Sequence, residues 1–428
     1  MFTLDNPPIV PPEPGSVDNS GSVLAISSFT SPAALGAAYN ARAADKALPT
    51  PRVRALAEKL TQGLTDPRAK AAALYDWVSQ NIRYVALGLG DGGFVPRPAD
   101  VILTTGYGDC KDHVVLLQAL LAAENIKSSG VLVSAGNNYW VPRIAYPAAY
   151  NHIILYIPQF NLFADSTAQF APFGALPWEE GKTGLIVGAP GIPARFVRLP
   201  LVAPGGDAVT TITTAALNAD GSVTGTSLVK GTGYYQYDTR NMLAAIQPGT
   251  APQMAAQLMS QANELGSGTL TGNSDPRDLA KPFSYNMSFS LPGYATVPGP
   301  GGMTFPLGVP TSDSIHALVA QAELPSRQRE TSCGVSDQTE TTTLTLPAAI
   351  AVQSLPFAVQ LSNELGAYTS SYTRHGDKIV AVRHLTLNPP HAPICTPADY
   401  TLLRALAAAV NRDLSGTLSW TRKTGPVV

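Results

Sequence analysis

Cysteine is scarce in this chain. Its 428 residues hold three, Cys110, Cys333 and Cys395, and no Cys-x-x-Cys pair. That excludes a small disulfide-stapled scaffold and the usual zinc-ribbon spacing. Charge is scarce as well: 14% of residues are charged and the net charge is −2. Nothing in that balance draws the chain to nucleic acid or to an acidic membrane surface. No apolar run approaches the ~18 residues that a membrane-spanning helix needs. The opening MFTLDNPPIVPPEP has neither the basic start nor the apolar stretch of a secretory signal. Its prolines, Pro7, Pro8, Pro11, Pro12 and Pro14, read as a linker. A folded chain that begins in a linker is expected to be a piece whose upstream part has been removed.

What is present is globular material. Hydrophobic residues make up 45% of the chain, and the length favours two or three domains over one core. Residues 1–49 read as the proline-rich linker, the remnant of an upstream domain. TPRVRALAEKLTQ (50–62) predicts a helix with Thr50 as N-cap and Pro51 in the first position. A second helix is expected from Thr65 to about Ile82, where Leu74, Trp77, Val78 and Ile82 recur at spacings of three and four. The extended RYVAL follows. A third helix starts at or near Cys110, with Val114, Leu117, Leu120 and Leu121 on one face. Strands are expected at SGVLVSA (129–135), NHIILYI (151–157) and NLFADST (161–167). Helices followed by antiparallel strands indicate an α+β core over 50–190.

From 195 to 428 the pattern turns β-rich, with a few helices. DAVTTITTAAL and SVTGTSLVKG alternate across the turn sequence NADG, which predicts a hairpin. Helices are expected over TRNMLAAI and PQMAAQLMSQANEL, strands over ETTTLTLP and KIVAVRHLTL. The last element reads as a helix capped by Thr396 with Pro397 first. No internal repeat is evident. Cys333 and Cys395 both lie here and can pair in an oxidising compartment, but connectivity cannot be read from sequence. GLGDGG (88–93) has the spacing of a dinucleotide loop, yet Phe94, Pro96 and Pro98 follow where a helix should, so that reading fails. Asn286-Met287-Ser288 matches a glycosylation sequon by pattern alone.

The chemistry centres on GYGDCKDH (106–113). A thiol attacks only as thiolate, and a helix N-terminus or an adjacent imidazolium favours that form. Gly106 and Gly108 shape a turn, and a helix begins at Cys110. Six histidines are available: His113, His152, His316, His375, His384 and His391. His113 sits one turn along the same helix and is expected on its surface. His152 opens a strand of the same core, and Asp165 lies near the end of the next. If those strands form a hairpin turning at Pro158 and Gln159, His152 stands opposite Asp165 and shares its face. Asp165 then orients one ring nitrogen and leaves the other for the thiol, the logic of a triad. Taken singly, a cysteine in a helix is more often a small core residue, and a strand histidine a satisfied core or surface group.

IRYVALGLGDGGFVPRPADVILTTGYGDCKDHVVLLQALL resembles the core of the bacterial transglutaminase-like superfamily, in particular the group with a GDCKD motif and a β-rich domain of unknown function ahead of the core. NHIILYI and ADST resemble the family's histidine strand and its Asp-x-Thr strand. The likeness is strong over about 50–185 and weaker through the β-rich region. It implies a transglutaminase/papain-like cysteine core with Cys110 as nucleophile, His152 as base and Asp165 as orienting acid. It also implies a periplasmic or otherwise extracytoplasmic location. His113 departs from the family, where a lysine-like or small residue is usual. No metal or organic cofactor is implied, and the expected partner is a protein or peptide substrate. The backbone N–H of Cys110 is expected to serve an oxyanion, with Tyr84 and Tyr107 as candidates for a second donor. Tyr139, Trp140, Tyr146 and Tyr150 crowd the loop before His152 in a chain only 7% aromatic. Tyr139 and Trp140, with Tyr84 and Tyr107, are the candidate cleft residues, although rings in such a loop also serve as packing. The expected activity is hydrolysis of a peptide or amide bond through a thioester. Amine transfer, as in cross-linking transglutaminases, and a non-catalytic envelope interaction module on the same fold are the alternatives. The sequence leaves the oligomeric state open.

Overall fold

A computed structural model describes residues 11, 13–17, 26–86, 88, 90–139, 145–177, 180–261, 264–305 and 314–424. The chain divides into two compact units, Met1–Leu201 and Val202–Val428.

The first unit packs helices against one antiparallel sheet. Its helices are α1 (Pro32–Ala43), α2 (Pro51–Leu60), α3 (Pro67–Asn81), α4 (Ala99–Thr105) and α5 (Cys110–Ala123). Two of these start as the sequence chemistry dictates. Thr50 caps α2 by accepting from the Val53 N–H, with Pro51 at a position whose missing N–H has no helical partner to lose. Asp66, one residue after the expected start, caps α3 by accepting from the N–H groups of Arg68 and Ala69. Two helices depart from expectation. α1 lies inside the stretch read as linker, and its Leu35 and Ala43 are buried. The seven-residue α4 is too short to show a period, and Gly106 ends it in the left-handed conformation at φ 68°.

α5 is buried almost all round, from Lys111 to Leu117 and again from Ala119 to Leu121. The single apolar face expected of it is therefore too narrow; a helix apolar on every side belongs inside. Val53 and Ala57 of α2, and Ala71, Leu74, Tyr75 and Val78 of α3, pack around it. Lys70 pairs with Glu124 at 2.7 Å and ties α3 to the end of α5.

The strands of this unit are β1 (Arg83–Tyr84), β2 (Tyr107–Gly108), β3 (Ser129–Val133), β4 (His152–Ile157), β5 (Leu162–Ala164), β6 (Thr183–Ile186) and β7 (Arg195–Arg198). The last five form a sheet in the order β5-β4-β3-β6-β7, every pairing antiparallel. β1 and β2 pair in parallel beside the start of α5. The β4–β5 register differs from the expected one. Leu155 faces Ala164, Tyr156 faces Phe163 and Ile157 faces Leu162. That is two residues from a ladder placing His152 opposite Asp165. The connection is a 3-10 turn over Pro158–Phe160 with Asn161 left-handed, longer than the two-residue turn expected. A shift of two keeps every side chain on its face.

The second unit is built on an eight-stranded sheet. Its elements are β8 (Ala208–Leu217), β9 (Val223–Gly231), α6 (Tyr234–Ala245), α7 (Ala251–Gln261), β10 (Ser267–Gly272), β11 (Ser284–Leu291), β12 (Gly301–Thr304), α8 (Ala317–Gln321), β13 (Thr331–Ser332), β14 (Ser336–Thr345), β15 (Ile350–Ser354), β16 (Gln360–Asn363), β17 (Gly366–His375), β18 (Lys378–Leu387), β19 (Ile394–Cys395), α9 (Pro397–Leu414) and β20 (Thr417–Arg422). The sheet order is β10-β11-β9-β8-β14-β18-β17-β16, with only β8 and β14 parallel. The expected β8–β9 hairpin is there, with Gly221 at φ 81° in its turn. α9 begins with a capping box between Thr396 and Asp399. It is not the final element, because β20 follows and pairs with β12 and β15. Cys333 and Cys395 form a disulfide and Cys110 is free. Among the described residues no helix is long and apolar enough to cross a membrane.

Candidate active site

The turn before α5 explains its own sequence. Gly108 has no room for a side chain, since a Cβ there would come within 2.6 Å of the Asp112 Cβ. Asp109 is the N-cap of α5 and pairs with the buried Lys111. Asp112 accepts from the Arg97 backbone N–H at 2.8 Å and from its Nε at 2.9 Å. Each acid beside Cys110 thus has a cation, and the first turn of the helix is locked. Cys110 is the first helical residue, where a backbone N–H has no intrahelical partner. Its side chain is partly exposed.

His152 and Asp165 meet across the hairpin despite the shifted register. Nε2 of His152 lies 2.8 Å from Oδ2 of Asp165. The other oxygen of Asp165 accepts from the Thr167 N–H at 2.9 Å and the Thr167 hydroxyl at 2.7 Å. Tyr75 donates to the Asp165 carbonyl at 3.0 Å and fixes the backbone there. Burial pushes the Asp165 carboxyl up, but the His152 charge and the bonds from His152 and Thr167 outweigh it and hold the group below its usual range. For His152, burial acts downward. The Asp165 charge, its hydrogen bond and a hydrogen bond with Cys110 win, and the imidazole stays protonated well above its usual range. With Nε2 engaged by Asp165, Nδ1 is the nitrogen left for the sulfur.

His113 is not on the helix surface as expected; it is 1% exposed. Its Nδ1 donates to the Ser166 carbonyl at 3.1 Å, and its Nε2 is buried without a partner. Burial is the main influence on this ring and lowers its basicity. It is therefore a neutral anchor for the Asp165–Thr167 segment rather than an acid or base.

The candidate cleft residues are placed unequally. Tyr84 is half-exposed on β1; burial first, then the charges of Cys110, Asp109 and Asp165, keep its phenol protonated. Tyr107 stacks under the Arg97 guanidinium at 4.8 Å. Tyr139 lies beneath the Lys182 ammonium at 5.1 Å, and Lys182 donates to the Ser134 carbonyl at 2.9 Å. Trp140 falls outside the described residues. Tyr150 has a buried hydroxyl without a partner.

Residues 54–152 match the family model of the transglutaminase-like superfamily. Residues 320–419 match a domain of unknown function known from solved structures, DUF3858. The chain therefore carries a transglutaminase-like core followed by a β-rich region that contains DUF3858. A crystal structure of a "putative protease" from Parabacteroides distasonis superposes with a TM-score of 0.57 at 16% identity. The match covers 91% of this chain and 59% of that one, so this chain spans little more than half the length of its structural neighbour. At such identity the likeness shows the fold. No curated protein matches the chain.

Proposed function

We propose that this protein is a thiol-dependent enzyme acting on peptide or carboxamide bonds, with hydrolysis as its main reaction. The observation that carries the reading is the placement of His152 between Cys110 and an ionised Asp165 whose second oxygen is saturated by Thr167.

Cys110 Sγ attacks the carbonyl carbon with its proton held on Nδ1 of His152. A C–S bond forms and the carbonyl electrons move onto oxygen. The Cys110 backbone N–H, at the positive end of α5, receives that charge. The imidazolium gives its proton to the leaving nitrogen, the C–N bond breaks and a thioester remains. His152, now neutral, takes a proton from water as its oxygen attacks the thioester. The C–S bond breaks and the acid leaves. Asp165 stays ionised throughout and fixes the ring's tautomer.

Hydrolysis is favoured over amine transfer because the nucleophile is open to solvent. Cys110 is partly exposed and Arg83 and Tyr84 alongside it are exposed, so water has a direct approach to the thioester. The Cys333–Cys395 disulfide is compatible with work outside the cytoplasm, in the cell envelope. The test is incubation with a peptide library followed by mass spectrometry of the intact protein. An acyl adduct on Cys110 that His152→Ala fails to form or to clear supports the reading. Peptide turnover that persists in Cys110→Ala would sink it.

A further inference from the structure

β1 has one neighbour, β2, in a two-stranded parallel sheet. Arg83 donates its backbone N–H to the Gly106 carbonyl at 2.9 Å, and Val85 donates to the Gly108 carbonyl at 2.8 Å. Backbone groups alternate in direction along a strand, so the N–H and C=O of Tyr84, between those two residues, point away from β2. Among the described residues neither group has a hydrogen-bond partner. The segment lies at the surface: Arg83, Tyr84 and Ala86 are exposed and Val85 is partly so. The outer side of β2 is already engaged, because the Tyr107 carbonyl accepts from the Arg97 guanidinium. An unpaired donor and acceptor on an exposed edge form a template for another extended chain.

This edge adjoins the nucleophile. Tyr84 pairs with Gly108, two residues before Cys110. Its ring lies 6.2 Å from the ring of His113, three residues after Cys110. His113 in turn donates to the Ser166 carbonyl, next to Asp165. Strand pairing and ring contact therefore hold the edge against the first turn of α5. Neighbouring strands lie about 4.8 Å apart and extended residues about 3.3 Å. About four residues of an added strand thus reach from the far side of β1 to the partly exposed Cys110.

We infer that the outer edge of β1 at Tyr84 is a substrate-binding site, where an extended peptide donates a main-chain N–H to the Tyr84 carbonyl and accepts from the Tyr84 N–H. The inference rests on the thioester reading and narrows its substrate class from any carboxamide to a polypeptide segment. A small amide or ester has no second peptide unit to fill this pair. The contact is main chain to main chain, so it fixes the register of the substrate and leaves its side chains to other contacts.

A backbone ester tests the contact without altering a side chain. p-Hydroxyphenyllactic acid placed at position 84 by nonsense suppression replaces the Tyr84 N–H with oxygen and keeps the phenol ring. Two probes are compared: the octapeptide that wild type cleaves fastest from a random pool, and p-nitrophenyl acetate, which acylates Cys110 but is too short to reach β1. In the ester variant, kcat/KM for the octapeptide is expected to fall about ten-fold, through KM. The p-nitrophenyl acetate burst is expected to stay within a factor of about two. If the ester variant folds poorly, Tyr84→Pro decides: proline also removes the N–H at an edge position that tolerates it, and its octapeptide KM is expected about ten-fold above that of Tyr84→Ala. Octapeptide turnover in the ester variant equal to wild type overturns the edge assignment alone. An equal loss on both probes also overturns it, since the change would then act on the nucleophile. A Cys110-dependent burst in wild type with no octapeptide cleaved overturns the edge and leaves the thioester reading standing. No burst and no cleavage removes both together.

Discussion

Nε2 of His152 sits 2.8 Å from Oδ2 of Asp165 although the two residues are not opposite one another in the β4–β5 ladder. The ladder ends at Ala164, and Asp165 lies just beyond it, held by Thr167 and Tyr75 rather than by strand pairing. The contact that orients the imidazole thus depends on a short loop clamp. It also depends on His113, which donates to the next carbonyl along, that of Ser166.

Cys110 is the free cysteine, with Cys333 and Cys395 bridged. Native protein treated with iodoacetamide should take up one label, at Cys110. Cys110→Ala should take up none, lose all turnover and keep its circular dichroism. Mass spectrometry of the labelled peptides reads the outcome. Labels on Cys333 or Cys395 without denaturant would contradict the bridge.

The three parts of the imidazole support should differ in weight. His152→Ala removes the proton carrier and should lower kcat by about 1,000-fold. Asp165→Asn keeps the shape and should cost less, since the acid only orients and stabilises. Thr167→Val deletes one hydroxyl bond to a carboxylate and leaves the backbone bond, and should cost roughly ten-fold. Steady-state rates on one substrate rank them. Asp165→Asn costing more than His152→Ala would contradict these roles.

The protonation pattern sets the pH profile. His152 is raised and Asp165 lowered, so the imidazolium–carboxylate pair spans the interval between them. The leaving group needs the His152 proton, so the alkaline limb of the rate should lie well above the ordinary imidazole value. In Asp165→Asn it should move toward that value. The same shift links to stability. The raised His152 contributes stability that is fully present below its unfolded value and lost as pH rises through the folded one. An alkaline limb unmoved by Asp165→Asn would remove His152 as its origin.

His113 acts with the opposite sign. Its basicity is lowered, chiefly by burial, with the charges of Asp165, Asp112 and Asp109 acting upward. Below the ordinary imidazole value the unfolded chain binds a proton that the folded chain refuses, so this group destabilises the fold as pH falls through that window. His113→Gln should make the denaturation midpoint less sensitive to pH between about 6.5 and 5. Equal pH slopes for variant and wild type would show that the ring titrates elsewhere.

The helix start at Cys110 and the meeting of His152 with Asp165 are legible because each rests on a local rule. A glycine turn ahead of an apolar helix placed Cys110, and strand alternation placed His152 and Asp165 on one face. The register was wrong by two residues, but an even error leaves faces unchanged. What could not be read depended on tertiary surroundings. His113 reads as a surface residue when α5 is read as apolar on one face, whereas the helix is buried almost all round. α1 was hidden in alanine-rich sequence without clear amphipathy, next to a proline-rich opening. Thr167 was visible only as part of an Asp-x-Thr resemblance, and the structure supplies the reason for that spacing in two bonds to one carboxylate oxygen.

The fate of the thioester is the last prediction. Water and amines meet the same acyl-enzyme, so the triad geometry is neutral between them and access decides. A transferase must shield the thioester and admit an amine along a closed, apolar passage. Here Cys110 is partly exposed and Tyr84 beside it is half-exposed. The loop before His152 begins with Tyr139 pinned to the Lys182 ammonium at one side. A carboxamide or peptide substrate offered with excess primary amine should therefore yield mostly free acid. Tyr84→Ala should raise KM more than it lowers kcat, because a groove wall binds ground and transition states alike. Liquid chromatography with mass detection separates acid from amide product. A predominance of amine conjugate at amine concentrations that leave the fold intact would assign the protein to acyl transfer instead.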